Sequence, residues 1–334
     1  MDSAASGKKT LADRYGRIAR RLRISVTDRC NFRCVYCMPE EVTWIRKNEI
    51  LSFEEMERLT RLFVDFGVDR VRLTGGEPLA RRDLPALCAR LTAVPGLREV
   101  TLTTNGQALD RHAKALWDAG LRRLNISLDT LDRERFVQIA RRDFLGDVLR
   151  GIGAAEAAGF RPIKVNMVVM RGVNEDEVPA FARLARERGW DVRYIEFMPL
   201  DGDHTWNRDK VVPAAEIEQA VASVHPIVPK DNDPADPARE YGFADGRGSF
   251  GIIASVTRAF CSTCDRLRLT ADGRFRTCLF ATEELDLKTP LRAGAGDEEL
   301  GRLIAEAVWM KKPGHLIGQR EFVQPARAMY AIGG

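Results

Sequence analysis

The sequence lacks the features that would tie a chain to a membrane, a nucleic acid or a disulfide framework. No apolar run approaches the ~18 residues needed to cross a bilayer. The opening residues, MDSAASGKKT, have no apolar core of the kind a secretory signal requires. An arginine-rich stretch over 14–23 has something of a mitochondrial presequence, but Asp2 and Asp13 argue against one. A charge excess is missing too: 52 basic residues stand against 48 acidic ones, a net +4, too even to announce a nucleic-acid partner. The expectation is a cytoplasmic protein with no membrane or nucleic-acid partner. What is present is 334 residues, 45% of them hydrophobic and 30% charged, enough for a sizeable core in two domains or one large barrel. There are seven cysteines. An odd number cannot pair completely, and a cytosolic chain this long does not rely on disulfides. Six of the seven fall into two tight groups, and Cys88 stands alone on the apolar face of a helical pattern as a small buried hydrophobe.

Runs rich in β-formers at 22–27, 71–74, 100–104, 124–128, 163–170 and 192–198 are each followed by helical spacing. Leu84, Leu87, Cys88 and Leu91 recur at helical steps, as do Val178, Phe181, Ala182, Leu184 and Ala185. Gly67, Gly120, Gly159 and Gly189 mark helix ends. Short connections between alternating strands and helices demand a parallel sheet. With six units, the expected fold is α/β, an incomplete (β/α)6 TIM-like barrel, whose chemistry gathers at the carboxyl ends of its strands. Polar residues do fall there: Thr103, Thr104 and Asn105, then Ser127 and Asp129, then Met198 and Pro199. A lone Thr or Ser at such a place is also an ordinary cap. Past about Val211 the alternation fades. Residues 230–239 (KDNDPADPAR) read as a solvated loop, 248–276 as a small antiparallel portion turning at Asp272–Gly273, and 297–310 as a helix. The expected division is a tail over 1–14, the barrel over 15–225, and a cysteine-bearing extension over 226–334.

Cys30, Cys34 and Cys37 form C-x3-C-x2-C directly after the first strand. Zinc and electron-transfer iron–sulfur clusters take four ligands, so three thiolates leave one iron of a [4Fe–4S] cluster open to a substrate. The alternative is zinc completed by His112, His204, His225 or His315, none of them near in sequence. This loop resembles the hallmark of the radical S-adenosylmethionine enzymes. The second strand ends in Thr74-Gly75-Gly76-Glu77-Pro78, which matches the segment holding the methionyl amino group in that family.

Cys261, Cys264 and Cys278 form a second trio, C-x2-C-x13-C, where a zinc ribbon would supply two pairs. Arg266-Leu267-Arg268 lies between its ligands, placing two guanidiniums on one side of a strand, either as a solvated face or as a phosphate site. With LRISVTDRCNFRCVYCMP, RLTGGEPLARRD, TLTTNG, NISLD, KVNMVVMRGVN and the closing Gly-Gly, the chain is similar to the GTP 3′,8-cyclases of molybdenum cofactor biosynthesis from about Tyr15 to Gly334.

That resemblance implies two [4Fe–4S] clusters, S-adenosylmethionine as radical source, and hydrogen removal from C3′ of GTP followed by attack on C8. It places Tyr36, Gly76, Ser127 and Met198 around S-adenosylmethionine, with plain packing as the lesser alternative for Tyr36. Arg23, Arg72, Thr103, Lys164, Arg193, Arg266 and Arg268 are placed around GTP. Arg266, Arg268, Gly333 and Gly334 serve catalysis, the two glycines by inserting into the site. It further implies a flavodoxin or ferredoxin as electron donor, cyclic pyranopterin monophosphate synthase downstream, and a homodimer. Two alternatives stay open: a radical peptide-modifying enzyme with an auxiliary cluster, and a non-catalytic zinc-binding module.

Overall fold

The computed structural model describes residues 9–333, so the expected role of Gly334 lies outside the described residues. Six strand–helix units follow one another: β1 (Arg21–Ser25), α1 (Phe53–Asp65), β2 (Arg70–Thr74), α2 (Leu84–Thr92), β3 (Glu99–Thr104), α3 (Leu109–Asp118) and β4 (Arg123–Ser127). Next come α4 (Arg133–Ala140), α5 (Leu145–Ala158), β5 (Lys164–Val169), α6 (Val178–Arg188), β6 (Asp191–Glu196) and α7 (Ala214–Ala222). The remainder forms β7 (Ile227–Pro229), β8 (Arg239–Phe243), β9 (Ser249–Ile253), β10 (Arg266–Leu269), β11 (Arg274–Arg276) and β12 (Leu285–Asp286). It closes with α8 (Lys288–Arg292), α9 (Asp297–Trp309) and α10 (Met329–Ile332).

All twelve strands join one sheet in the order β12-β11-β10-β1-β2-β3-β4-β5-β6-β9-β8-β7. The six-unit curved parallel core is as expected, but the reading of 248–276 as a small antiparallel portion needs correction. The Asp272–Gly273 turn does join antiparallel β10 and β11. However, β10 also pairs parallel with β1, and β9 pairs parallel with β6. A six-stranded open barrel has two edges of unpaired backbone groups, and these two strands cover them. Within the stretch expected as a tail, Leu11 and Asp13 are buried.

Strand alternation sorts the chemistry. In β1, Leu22 and Ile24 turn outward beneath the helices and are fully buried, each contributing about 1.5–3 kcal/mol. Arg21 and Arg23 turn inward to line the barrel cavity. The same period of two sends Arg70 and Arg72 of β2, and Arg266 and Arg268 of β10, into that cavity. Cys88 lies fully buried in α2 among the core residues.

Candidate active site

One cavity of about 700 Å³ runs down the inside of the barrel, and all six clustered cysteines line it. Cys30, Cys34 and Cys37 sit in the loop after β1. The Gly75-Gly76 turn packs on the start of that loop: Gly76 N donates to Thr27 O at 2.7 Å and Glu77 N to Arg29 O at 2.7 Å. A Cβ on Gly76 would stand 2.4 Å from the carbonyls of Asp28 and Arg29, so only glycine allows this approach. Cys261 and Cys264 precede β10, and Cys278 follows β11.

The donor set fits anionic sulfur. Backbone N–H groups of Phe32 and Phe280 point at Cys30 Sγ and Cys278 Sγ at 3.4 Å each, and Lys311 Nζ lies 3.9 Å from Cys264 Sγ. Burial pushes the Cys30 thiol up to about 12 and the Cys34 and Cys37 thiols up as well. Burial alone would also raise Cys264, but the charges of Arg266 and Lys311 reverse this and bring it down to about 7.

Between the trios runs a row of cations. Strand register sets Arg268 beside Arg23, and Arg23 beside Arg72. Like charges directly opposed are destabilising. Among the described residues none of these arginines, nor Arg266, has a carboxylate partner; Arg72 Nε donates to Thr101 Oγ1 at 3.2 Å, and Arg266 lies over the Phe260 ring. Burial and mutual repulsion draw Arg23 well down, Arg72 to about 10 and Arg268 to about 9. Such an array is built for a polyanion.

Lys164 and Arg193 complete the row differently. Asp191 bridges them, 2.9 Å from Lys164 Nζ and 2.7 Å from Arg193 Nη2, and Glu240 takes a second Arg193 bond at 2.8 Å. Lys164 and Asp191 open their strands, so the cavity reaches well below the carboxyl-end rim the barrel rule singles out. Its lower end is closed by the loop expected to be merely solvated: Arg21 pairs with Asp233 at 2.9 Å and Asp236 at 2.8 Å. Neither these carboxylates nor Lys311 carried a sequence signal.

Tyr36, Gly76, Ser127, Met198 and Thr103 all line the cavity. Tyr36 does more than pack: its hydroxyl donates to Asp129 Oδ2 at 2.7 Å, while Val168 N donates to Oδ1 at 2.8 Å. Gly333 reaches the barrel mouth, where Arg268 donates to its carbonyl.

Glu77 accepts from Thr104 Oγ1 at 2.6 Å, Asn105 N at 2.7 Å and Leu79 N at 2.9 Å, yet burial outweighs these bonds and raises it to about 7. Burial likewise raises Asp129 to about 6. Both pKa values lie above those of the unfolded chain, so the folded state holds protons the unfolded state has released. Their stabilisation is complete near pH 4 and is lost as pH rises through about 6 and then 7, on the order of 3 kcal/mol for Glu77. Thermal melts of the apoprotein should therefore show Tm declining between about pH 5 and 7.5, and less steeply in Glu77→Gln. A Tm rising through that window, with no difference in the variant, would contradict the assignment.

Residues 24–185 match the family model of the radical SAM superfamily, and residues 190–317 match that of Molybdenum Cofactor Synthesis C. A GTP 3′,8-cyclase of Streptomyces coelicolor is 46% identical over 99% of this chain and 98% of its own length. This chain belongs to the GTP 3′,8-cyclase family. The GTP 3′,8-cyclases of Mycolicibacterium smegmatis and Paenarthrobacter nicotinovorans are 46% and 44% identical, over 99% and 97% of this chain and 94% and 97% of theirs. Among solved structures, Streptococcus suis SuiB bound to S-adenosylmethionine shares the fold. It superposes with a TM-score of 0.60 at 14% identity, covering 86% of this chain and 68% of its own. As a family member, the protein is a radical S-adenosylmethionine enzyme using [4Fe–4S] clusters. No helix among the described residues is long and apolar enough to cross a membrane.

Proposed function

We propose that this protein cyclises GTP to (8S)-3′,8-cyclo-7,8-dihydroguanosine 5′-triphosphate, the first step of molybdenum cofactor biosynthesis. One observation carries the reading: two three-cysteine sites face a single cavity across a row of arginines without carboxylate partners. Cys30, Cys34 and Cys37 hold the cluster that binds S-adenosylmethionine, and Cys261, Cys264 and Cys278 hold the cluster that anchors the guanine base. When bound, the first cluster and S-adenosylmethionine supply the carbon radical that takes hydrogen from C3′ of GTP.

The chain's own residues position the reactants. Arg23, Arg72, Lys164 and Arg193 bind the triphosphate and Thr103 orients the nucleotide. Tyr36, Gly76, Ser127 and Met198 surround S-adenosylmethionine. Arg266 and Arg268 fix the nucleotide against the second cluster, with Arg268 donating to the Gly333 carbonyl at the barrel mouth. The functional division falls near residue 225, with 15–225 carrying the radical source, 226–334 the anchoring trio, and 1–14 a flanking segment.

A flavodoxin or ferredoxin supplies the electron, the product passes to cyclic pyranopterin monophosphate synthase, and the protein works as a homodimer. Open irons are oxygen-sensitive, which suits a reducing cytoplasm. The test is anaerobic incubation with reductant, S-adenosylmethionine and GTP. The expected result is 5′-deoxyadenosine together with a cyclised nucleotide of unchanged mass. Absence of both products would refute the reading.

A further inference from the structure

Lys311 follows α9 and is only 4% exposed. Its ammonium donates to Cys264 O at 2.9 Å and Arg266 O at 3.2 Å, and stands 3.9 Å from Cys264 Sγ. Among the described residues these are its partners, and none is a carboxylate. A buried cation is costly unless an opposite charge compensates it, and two carbonyl dipoles fall short of that. The neighbour able to supply a full negative charge is the Cys264 sulfur.

The fixture is rigid. Arg17, itself buried and paired with Asp13 at 2.6 Å, donates to Cys261 O at 2.8 Å, Lys312 O at 2.7 Å and Pro313 O at 2.9 Å. It thereby ties the segment after α9 to the cysteine turn. The other cation beside Cys264, Arg266, also lines the cavity, where the function proposed above gives it to the nucleotide. Lys311 is then the counter-charge that stays with the cluster whether or not nucleotide is bound.

We propose that Lys311 is a positioning residue whose fixed positive charge beside Cys264 holds the second iron–sulfur cluster at a higher reduction potential than a neutral neighbour would. The assignment rests on reading Cys261, Cys264 and Cys278 as cluster ligands. A positive charge favours the more negative, reduced cluster, so removing it shifts the potential downward.

The experiment compares reconstituted holoenzyme carrying Lys311, Lys311→Gln and Lys311→Arg by iron content and by reductive titration followed by electron paramagnetic resonance. The first cluster is recognised by its response to S-adenosylmethionine and the second by its response to GTP. Glutamine keeps a hydrogen-bond donor and loses the charge; arginine keeps the charge. The expected result is a more negative midpoint for the second cluster in Lys311→Gln, an unmoved first cluster, and restoration in Lys311→Arg. Loss of the second cluster in Lys311→Gln but not in Lys311→Arg supports the same conclusion. Equal potentials in all three proteins would overturn it, as would a shift or cluster loss common to both variants, which marks a packing role. A parent protein with half the expected iron would sink the reading of the second trio, and the Lys311 assignment with it.

Discussion

Arg23→Leu is expected to lower kcat/KM for GTP by about 10²-fold, near 3 kcal/mol, without lowering the melting temperature of the ligand-free protein. Arg23 stands between Arg268 and Arg72 in the register and lacks a carboxylate partner among the described residues. With GTP bound, its guanidinium meets phosphate in a water-poor cavity, where losing one charge-assisted contact is expensive. With no nucleotide, the same guanidinium is desolvated and repelled by its neighbours, so removing it relieves the fold. The two effects have opposite signs, which separates a binding defect from misfolding. Calorimetric GTP titration and thermal melts of one preparation check both. Unchanged GTP affinity, or a Tm lowered by several degrees, would contradict the account.

Gly333→Ala should cut cyclisation by at least about 10²-fold while leaving S-adenosylmethionine binding and Tm nearly unchanged. Gly333 adopts φ +81°, and a Cβ there would stand 2.5 Å from Thr74 Oγ1 and 3.1 Å from Ser25 Cβ. The left-handed backbone alone costs an alanine roughly 1–2 kcal/mol, and the contact with β2 adds to that. The closing segment is attached by local bonds: Gln324 Nε2 to Asp201 O at 3.0 Å, Met329 N to Leu200 O at 3.1 Å, and Arg327 to Asp272 at 2.8 Å. Displacing the last residues therefore strips Arg268 of its Gly333 partner without opening the core. Deleting Gly333 and Gly334 should act alike. Full turnover after either change would contradict the role given to the tail.

These two sites also mark what was legible in the sequence. The arginine of Arg23 was visible, but its meaning depends on β10 pairing with β1, a contact between segments more than two hundred residues apart. Alternating residues read the same whether a strand joins a parallel or an antiparallel neighbour, so β9 and β10 passed for a separate portion. Cysteine spacing, by contrast, is local, and both trios could be read from the chain because loop chemistry is written in consecutive residues. Lys164 and Arg193 entered only through family resemblance, since their significance comes from ion pairs across the sheet: Asp191 of β6 reaches Lys164 of β5 as well as its own neighbour Arg193, and Glu240 of β8 reaches Arg193. Lys311, beside a second lysine, carries no signal in the sequence, since its meaning comes from Cys264 nearly fifty residues earlier. Gly333 likewise entered through the resemblance alone, because nothing local announces a dock on Ser25 and Thr74.

The most direct measurement is Mössbauer spectroscopy of iron-57-loaded protein, recorded alone, with S-adenosylmethionine and with GTP. The account predicts about eight iron atoms per chain in two [4Fe–4S] clusters. S-adenosylmethionine should perturb one iron of the first, and GTP one iron of the second. A GTP spectrum identical to that of the protein alone, or zinc in place of iron at the second trio, would contradict it.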